Sequence, residues 1–255
     1  MRVSIVTPSY NQAQFLERTI QSVLQQTYAD IEYIVIDGGS TDGSKAIIER
    51  YADRITYWVS EKDKGQTDAI NKGFAQATGD VLAWLNSDDT LEPNAVKRAV
   101  EELKRHPEVG MVYGHGFFID GNDQKIGDFP SAQTNYAKLR QAYVHICQQA
   151  SFWRAELWNK VGPLDDSIYF AMDYDLWLRL AKEAPLLFFN EHWANFRLHG
   201  DAKSVSEDDR CWPDMLKIHL RDGGSRFSIL YLKFMIRKLA GPFIRWKRKR
   251  LAEGR

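Results

Sequence analysis

The sequence predicts an α/β domain in which helices flank a mixed, mainly parallel β-sheet, with a basic amphipathic helical tail behind it. Through the first half of the chain, short apolar runs alternate with segments whose apolar residues recur at helical spacing. This alternation is typical of parallel strands joined by crossover helices. The second half is less regular, and the chain ends in a segment rich in Lys and Arg. We therefore expect one domain followed by a tail of different character.

In the first half, four strands alternate with four helices. Each strand is a short apolar run that ends at turn-forming residues, and each helix has an amphipathic pattern. The strands are predicted at Val3–Thr7, Glu32–Ile36, Ile55–Val59 and Val81–Leu85. The helices are predicted at Phe15–Leu24, Ser44–Tyr51, Thr67–Ala77 and Pro93–Arg105.

The second half carries three further strands, two helices and two polar loops. The strands are predicted at Met111–Ile119, Cys147–Trp153 and Pro185–Leu198. The helices are predicted at Ala155–Lys160 and Asp173–Glu183, and the loops at Gly121–Thr134 and His199–Arg210. The tail, Phe227–Leu251, is predicted to be helical with an interruption at Gly241-Pro242.

Charge is unevenly distributed along a chain whose formal net charge is zero. Arg226–Arg255 holds ten basic residues and one acidic residue, so this tail carries +9 and the rest of the chain −9. An acidic body with a basic tail indicates two different partners. The two cysteines match no zinc or redox spacing, and no segment resembles a signal peptide or approaches the ~20 apolar residues of a membrane span. We therefore expect a cytoplasmic protein.

Asp88 and Asp89 directly follow the predicted strand Val81–Leu85. Ligands of open α/β sheets bind at the carboxyl ends of the strands, where this pair would lie. Two adjacent carboxylates repel each other unless a cation or a proton neutralises them, and a divalent ion that carries a diphosphate would do so. Taken alone, the pair fits a turn and helix cap ahead of Pro93 better than a metal site.

Four further polar motifs accompany this pair. The five motifs, in chain order, are Val3–Asn11, Asp37–Gly43, Lys64–Gly73, Asn86–Asp89 and Asp173–Leu180. In this order they resemble the family 2 glycosyltransferases of the GT-A fold, which is Rossmann-like. The resemblance covers roughly residues 3–200. It implies a nucleotide-sugar donor, a divalent metal (Mg or Mn), and transfer with inversion at the anomeric carbon.

The resemblance also implies the residues that bind the metal. Asp89 matches the metal-binding aspartate of the family, and Asp88 matches the neighbouring aspartate near the ribose. His199 matches a histidine that many GT-A enzymes present to the metal or the diphosphate, although an isolated histidine is often structural. Ser87 stands where the family often has a third acidic residue, so we expect water to supply one ligand.

Donor-binding residues follow from the same resemblance. Asp37 matches the residue that accepts hydrogen bonds from the base. Lys64 and Asp68 fall in the segment that closes over the nucleotide, although Lys64 is also compatible with a solvated loop charge. The residues predicted to line the base pocket are Thr7, Pro8 and Tyr10.

Inversion requires a base that removes the proton of the acceptor hydroxyl on the side opposite the diphosphate. Asp173 matches the catalytic base of the family, while Met172 replaces a glutamate that commonly precedes it. Asp175 is the rival, and its alternative role is a first-turn charge at a helix N-terminus. Trp153 and Arg154 lie where family members meet the acceptor. Their alternative roles are core packing and a solvated surface charge.

The tail combines apolar and aromatic residues with a dense cationic block, Arg245–Arg250. Such a helix suits the interface of an anionic membrane. The alternatives are a helix packed on the body and, less compatible with the apolar content, a nucleic-acid-binding segment. We divide the chain into a domain at 1–212, with a donor half at 1–119 and an acceptor half at 120–212, and a tail at 213–255.

The predicted function is metal-dependent, inverting transfer of a hexose-type sugar. The donor is a nucleotide diphosphate-sugar, with UDP favoured. The acceptor is the hydroxyl of a saccharide or a lipid-linked acceptor in cell-surface polysaccharide synthesis, and the protein is expected on the inner face of the cell membrane. The alternative is an inactive protein of the same fold that binds nucleotide-sugars or serves as a scaffold.

Overall fold

The computed structural model describes residues 1–141, 144–200, 208–228, 230–232 and 234–236. It confirms the predicted α/β fold, a mixed sheet flanked by helices. The strands are β1 Val3–Ser9, β2 Ile31–Asp37, β3 Tyr57–Ser60, β4 Val81–Trp84, β5 Thr90–Leu91, β6 Met111–Ile119, β7 Lys125–Phe129, β8 Ser151–Arg154 and β9 Leu186–Arg197. The helices are α1 Ala13–Leu24, α2 Ser44–Arg50, α3 Gln66–Gln76, α4 Ala95–Arg105, α5 Tyr136–Leu139, α6 Ala155–Val161, α7 Met172–Glu183 and α8 Asp208–Arg221, with a 3₁₀ turn at Gln148–Ala150.

The strand order places the functional edge of the sheet. It runs β3-β2-β1-β4-β8-β6-β9-β5, and β7 pairs with β6. Strands β3, β2, β1 and β4 are mutually parallel, whereas β8 is antiparallel to both β4 and β6. The carboxyl ends of β1, β2 and β4 therefore meet at one edge, where ligands of α/β sheets bind.

Apolar side chains form a core on each face of the sheet. The second of these cores surrounds Val6 and contains three fully buried tryptophans. Trp84 stacks on Trp177 with ring centroids 5.8 Å apart, and Trp153 contacts both rings edge-on. Helix α3 packs closely on β1 at Gly73, where a Cβ atom would lie 2.3 Å from Cγ1 of Val6. This close approach fixes α3, whose N-terminus borders the functional edge.

Several elements differ from the sequence-based expectations, among them the short strand β5 and the one-turn helix α5, which were not predicted. Strand β7 lies inside the predicted polar loop, because this edge strand is mostly exposed and lacks an apolar run. Residues 147–150 form a turn rather than the start of a strand, and β3 begins at Tyr57 rather than Ile55. Helix α8 was not predicted, since Pro213 lies inside it, and it crosses the predicted domain boundary at residue 212.

The tail is described only in part. Residues 230–232 and 234–236 are helical, and Leu230 is buried. The cationic block Arg245–Arg250 lies outside the described residues. No helix in the described part of the chain is long and apolar enough to cross a membrane.

Candidate active site

The loops that follow β1 and β2 are joined by hydrogen bonds at the functional edge. Asn11 has a positive φ of 51°, donates its N–H to Ser40 Oγ (2.8 Å) and accepts the N–H of Thr41 at its Oδ1 (2.9 Å). The N–H of Ala13, at the start of α1, is donated to Asp42 Oδ2 at 2.8 Å. These bonds join the two loops, residues 10–12 and 38–43, into one wall of the candidate site.

Asp37 ends β2 within this wall and is fully buried. Its carboxylate accepts hydrogen bonds from the N–H and hydroxyl of Ser40 and from Ser60 Oγ at 2.6 Å. Asp63, which was not predicted as a site residue, lies against Gly38, the residue after Asp37. A Cβ atom on Gly38 would be 2.7 Å from Asp63 Oδ2. Burial raises the pKa of Asp63, and the nearby carboxylates raise it further. The carboxylates of Asp37 and Asp63 therefore lie close together beside this wall.

Of the three residues predicted to line the base pocket, only Tyr10 is accessible, with 62% of its surface exposed. Thr7 and Pro8 are buried within β1. Thr7 Oγ1 bonds instead to the hydroxyl of Tyr33 at 3.1 Å, and burial raises the pKa of that hydroxyl. Tyr10 is thus the accessible residue of the three, and the predicted contact of these residues with a base stays a prediction.

Lys64 and Asp68 lie at the N-terminus of α3. Asp68 Oδ2 accepts the backbone N–H of Lys64 at 3.1 Å and pairs with Lys72 Nζ at 3.4 Å. Gly65 between them has a φ of 116°, a conformation that favours glycine. The side chain of Lys64 is exposed, as a residue that closes over a nucleotide must be.

Asp89 is buried, with 1% of its surface exposed. Its Oδ1 accepts the backbone N–H of Arg197 (2.9 Å), and its Oδ2 accepts Gln149 Nε2 (2.7 Å) and Asn86 Nδ2 (3.3 Å). Burial raises its pKa well above the usual range, and the charge of Asp88 adds to this shift. Both carboxylate oxygens are therefore engaged inside the protein. Asp89 thereby anchors the turn, and its role as a metal ligand stays a prediction.

Asp88, by contrast, faces the edge. Its side chain is 19% exposed, and its Oδ2 lies 3.1 Å from Nε2 of His199, whose ring packs 4.6 Å from that of Phe15. The part of the chain that the structure describes holds no cluster of three or more metal-ligating side chains. A carboxylate and an imidazole nevertheless fit a divalent ion that takes its other ligands from water and phosphate oxygens.

Arg197 fixes the two aspartates to β9, although sequence analysis had singled out only the nearby His199. Its side chain is fully buried. Its Nε donates to the carbonyl oxygen of Asp88 at 2.6 Å, and its Nη2 pairs with Asp123 Oδ1 at 2.5 Å. Through these contacts the arginine holds the turn of Asp88 and Asp89 in one geometry.

The glutamines of the 3₁₀ turn were also missed, because their partners are distant in sequence. Gln148 Nε2 donates to the carbonyl oxygen of Trp84 at 2.9 Å, beside the bond from Gln149 to Asp89. The adjacent Cys147 is buried, and burial together with Asp89 raises the pKa of its thiol to about 12. The cysteine is therefore held as an unreactive thiol, as its isolated spacing indicates.

Asp173 is brought to this edge by contacts between α3 and α7. Gln66, which begins α3, donates to Asn86 Oδ1 at 2.8 Å, and the next residue, Thr67, contacts Met172 Sδ at 3.0 Å. Asp173 follows Met172 in the first turn of α7 and is half-buried. Continuous contacts thus run from the aspartate pair to the predicted base.

The rival base, Asp175, is buried and pairs with Arg179 Nε at 2.9 Å and with Arg221. These ion pairs make it structural. Trp153 and Arg154 also make structural contacts, and their contact with an acceptor stays a prediction. Trp153 is fully buried in the tryptophan cluster, and Arg154 donates to carbonyl oxygens at the end of α4. Both pair with the amino-terminal half of β4, away from the functional edge.

A family model described as glycosyl transferase family 2 matches residues 4–158. The chain belongs to this family. This glycosyltransferase is 37% identical over 227 residues to an uncharacterised glycosyltransferase of Nostoc sp., covering 81% of this chain and 67% of the relative. It is 32% identical over 235 residues to the chondroitin synthase of Escherichia coli, covering 91% of this chain and 34% of that protein. The chain thus spans about a third of the synthase.

Solved glycosyltransferases share the fold. S. aureus TarS residues 1–349, in complex with UDP-GlcNAc, matches with a TM-score of 0.70 at 16% identity, covering 86% of this chain and 65% of that one. The mannosyltransferase PcManGT of Pyrobaculum calidifontis, in complex with GDP-Man and Mn²⁺, matches with a TM-score of 0.66 at 20% identity, covering 87% and 64%. The fold of this family 2 glycosyltransferase is therefore of the GT-A type.

Proposed function

We propose that this glycosyltransferase transfers a hexose-type sugar, with inversion, from a nucleotide diphosphate-sugar to a hydroxyl of a saccharide or lipid-linked acceptor. The reaction would serve cell-surface polysaccharide synthesis. The observation that carries the proposal is the pairing of Asp88 with His199 at the sheet edge, which contacts of α3 link to the residue before Asp173. An inactive scaffold, the alternative function, would not need an accessible carboxylate at both Asp88 and Asp173.

Asp88 and His199 are the residues that would hold a divalent metal, Mg or Mn. Such an ion would neutralise the negative charge that develops on the departing diphosphate. The buried Asp89 and Arg197 keep the Asp88 carboxylate aimed at the edge. This support matters because a metal site requires ligands that do not relax.

Asp173 is the proposed base. Its Oδ1 already accepts the N–H of Tyr174 at 2.7 Å, which orients the carboxylate at the start of α7. An acceptor hydroxyl within hydrogen-bond reach of this group would lose its proton as the new glycosidic bond forms. The bond to the diphosphate breaks on the opposite face of the sugar, which gives inversion.

The donor is proposed to bind with its base against Tyr10 and the wall that contains Asp37. Lys64 and Asp68 would close over the nucleotide from the start of α3. UDP is the favoured nucleotide, consistent with the UDP-GlcNAc complex of TarS, and the GDP-Man complex of PcManGT makes GDP the other candidate.

Donor binding can be tested by thermal stabilisation. A panel of UDP-glucose, UDP-GlcNAc and GDP-mannose, each with Mn²⁺, is expected to include a compound that raises the Tm, because a ligand that binds only the folded state stabilises it by mass action. Tyr10→Ala should reduce that shift, whereas Tyr57→Ala, at an exposed tyrosine on the edge strand β3, should not. If no nucleotide or nucleotide-sugar raised the Tm of the full chain, the proposal would be wrong.

We also propose that the tail binds an anionic membrane surface as a peripheral anchor. Its described part exposes three apolar side chains: Phe227 is 99% exposed, Leu232 60% and Ile236 56%. The basic sequence that follows would add attraction of about 1 kcal/mol per cation near the surface. A lipid-linked acceptor would then meet the enzyme at the membrane.

Co-sedimentation with vesicles tests the anchor. Wild-type protein is expected to bind vesicles containing about a third phosphatidylserine and to leave neutral phosphatidylcholine vesicles unbound. Replacing Phe227, Leu232 and Ile236 together with Asp should abolish binding. Ile126→Asp, at an equally exposed site on β7, should retain it. Equal binding by the triple variant would refute the anchor.

A further inference from the structure

Helix α8 contacts the segment that leads into the proposed base. The segment, residues 165–170, ends three residues before Asp173. Side chains from three successive turns of α8 bond to it, in the reverse order of the chain. These contacts are Asp214 Oδ2 with Phe170 N (2.6 Å), Lys217 Nζ with Ser167 O (2.9 Å) and Arg221 Nη1 with Asp165 Oδ2 (2.9 Å).

The same helix is anchored to the body of the protein. Ile218, on the face that carries these contacts, is 1% exposed and belongs to the second core. His219 Nδ1 lies 3.1 Å from the carbonyl oxygen of Arg140, and Arg221 reaches the buried Asp175 as well as Asp165. Because these buried groups hold α8 in place, its contacts restrict the position of residues 165–170.

The start of α7 depends on such an external constraint. Ala171 occupies its N-cap position and has no side chain that could cap the helix. The N–H of Tyr174 bonds to Oδ1 of Asp173 itself, so a first turn without an N-cap side chain relies on other contacts to hold the preceding backbone. The N–H of Phe170, immediately before Ala171, is held by the Asp214 carboxylate. Asp214 thus fixes the backbone from which Asp173 projects.

We propose that α8 positions the catalytic base, with Asp214 as the positioning residue that acts through the Phe170 N–H. The inference rests on the proposed function, in which Asp173 is the base. The residues involved lie outside residues 4–158, the part of the chain that the family model matches. Asp214 makes no contact with substrate in this account. Its role is to keep Asp173 within reach of the acceptor hydroxyl.

Three variants of α8 test the proposal in full-length protein. Release of UDP from UDP-GlcNAc, or of GDP from GDP-mannose, is measured with Mn²⁺. Asp214→Ala is expected to lower kcat about 10- to 100-fold with the donor KM within about twofold, because small displacements of a catalytic group are costly. Asp214→Asn should recover most of the rate, since its amide oxygen can accept the same N–H. Pro213→Ala, at an exposed position on α8, should match wild type.

A merely structural role would lower the Tm of Asp214→Ala and leave kcat close to wild type, and that result would overturn the proposal. Equal loss of rate in Asp214→Ala and Asp214→Asn would overturn it too. If Asp214→Ala does not fold, Lys217→Met decides: kcat should fall at least about threefold, and an unchanged kcat refutes the proposal. Asp173→Asn in the same assay separates the two claims, because a fully active Asp173→Asn refutes the proposed base itself.

Discussion

Asp173→Asn is expected to lower the kcat of sugar transfer or donor hydrolysis by about 10²- to 10⁴-fold, the range over which general bases act. The amide is close in shape to the carboxylate but cannot take a proton. Because the nucleotide wall around Asp37 is formed by other loops, donor binding should stay within about twofold of wild type. The measurement is steady-state release of nucleoside diphosphate, with donor affinity from thermal stabilisation.

Two further substitutions control for this result. Asp53→Asn changes an exposed carboxylate in the turn after α2 and should leave kcat unchanged. Asp175→Asn removes a charge that lies between two arginines, so its main effect should be a lower stability, by about 3 kcal/mol or more. A large loss of kcat in Asp175→Asn, with Asp173→Asn nearly active, would reverse the assignment of the base.

Asp88→Asn is expected to raise the Mn²⁺ concentration for half-maximal activity at least about tenfold, because it removes the proposed anionic ligand of the metal. Mutation of residues that only hydrogen-bond to a metal ligand already lowers metal affinity about 10- to 100-fold. Its Tm in the absence of metal should change little. The activity of wild type and variant across a Mn²⁺ titration gives the first quantity, and thermal unfolding in EDTA gives the second.

Asp89→Asn is the matched comparison, since the two residues are adjacent and the substitution is the same. The amide would place an NH₂ group toward donors that now bond to carboxylate oxygens, the Arg197 N–H or Gln149 Nε2. One buried donor loses its partner, so the free energy of unfolding should fall by about 1–3 kcal/mol. If Asp89→Asn instead weakened the metal dependence and kept full stability, the sequence-based assignment of Asp89 as ligand would be supported.

Much of the site could be predicted from local sequence. Strands β1, β2 and β4 are apolar runs that end in polar motifs, and the parallel pairing of such runs brings the motifs to one edge. Motif order was sufficient to place Asp37, Asp88 and Asp173 at that edge. These predictions depend on residues within a few positions of each other, which local patterns describe well.

The remainder depends on contacts distant in sequence. Gln149 and Arg197 hold Asp89, rather than the adjacent Asp88, in the interior of the protein. They lie 60 and 108 residues from Asp89 in sequence. Local sequence does not show whether Trp153 is buried or accessible, because the side chains that enclose it, Trp84 and Trp177, are distant in sequence. Helix α8 was missed because Pro213 interrupts its pattern; the helix is anchored by its own Ile218, which packs in the core, and by the ion pair of its Arg221 with the distant Asp175.

Metal-dependent release of nucleoside diphosphate tests the central claim most directly. The full chain is incubated with the nucleotide-sugar that stabilises it, with Mn²⁺ or with EDTA, beside the Asp88→Asn and Asp173→Asn variants. Wild type is expected to release nucleoside diphosphate only with Mn²⁺, Asp88→Asn to require a higher Mn²⁺ concentration, and Asp173→Asn to lose rate at unchanged donor affinity. Release that persists in EDTA, or at the wild-type rate in both variants, would contradict it.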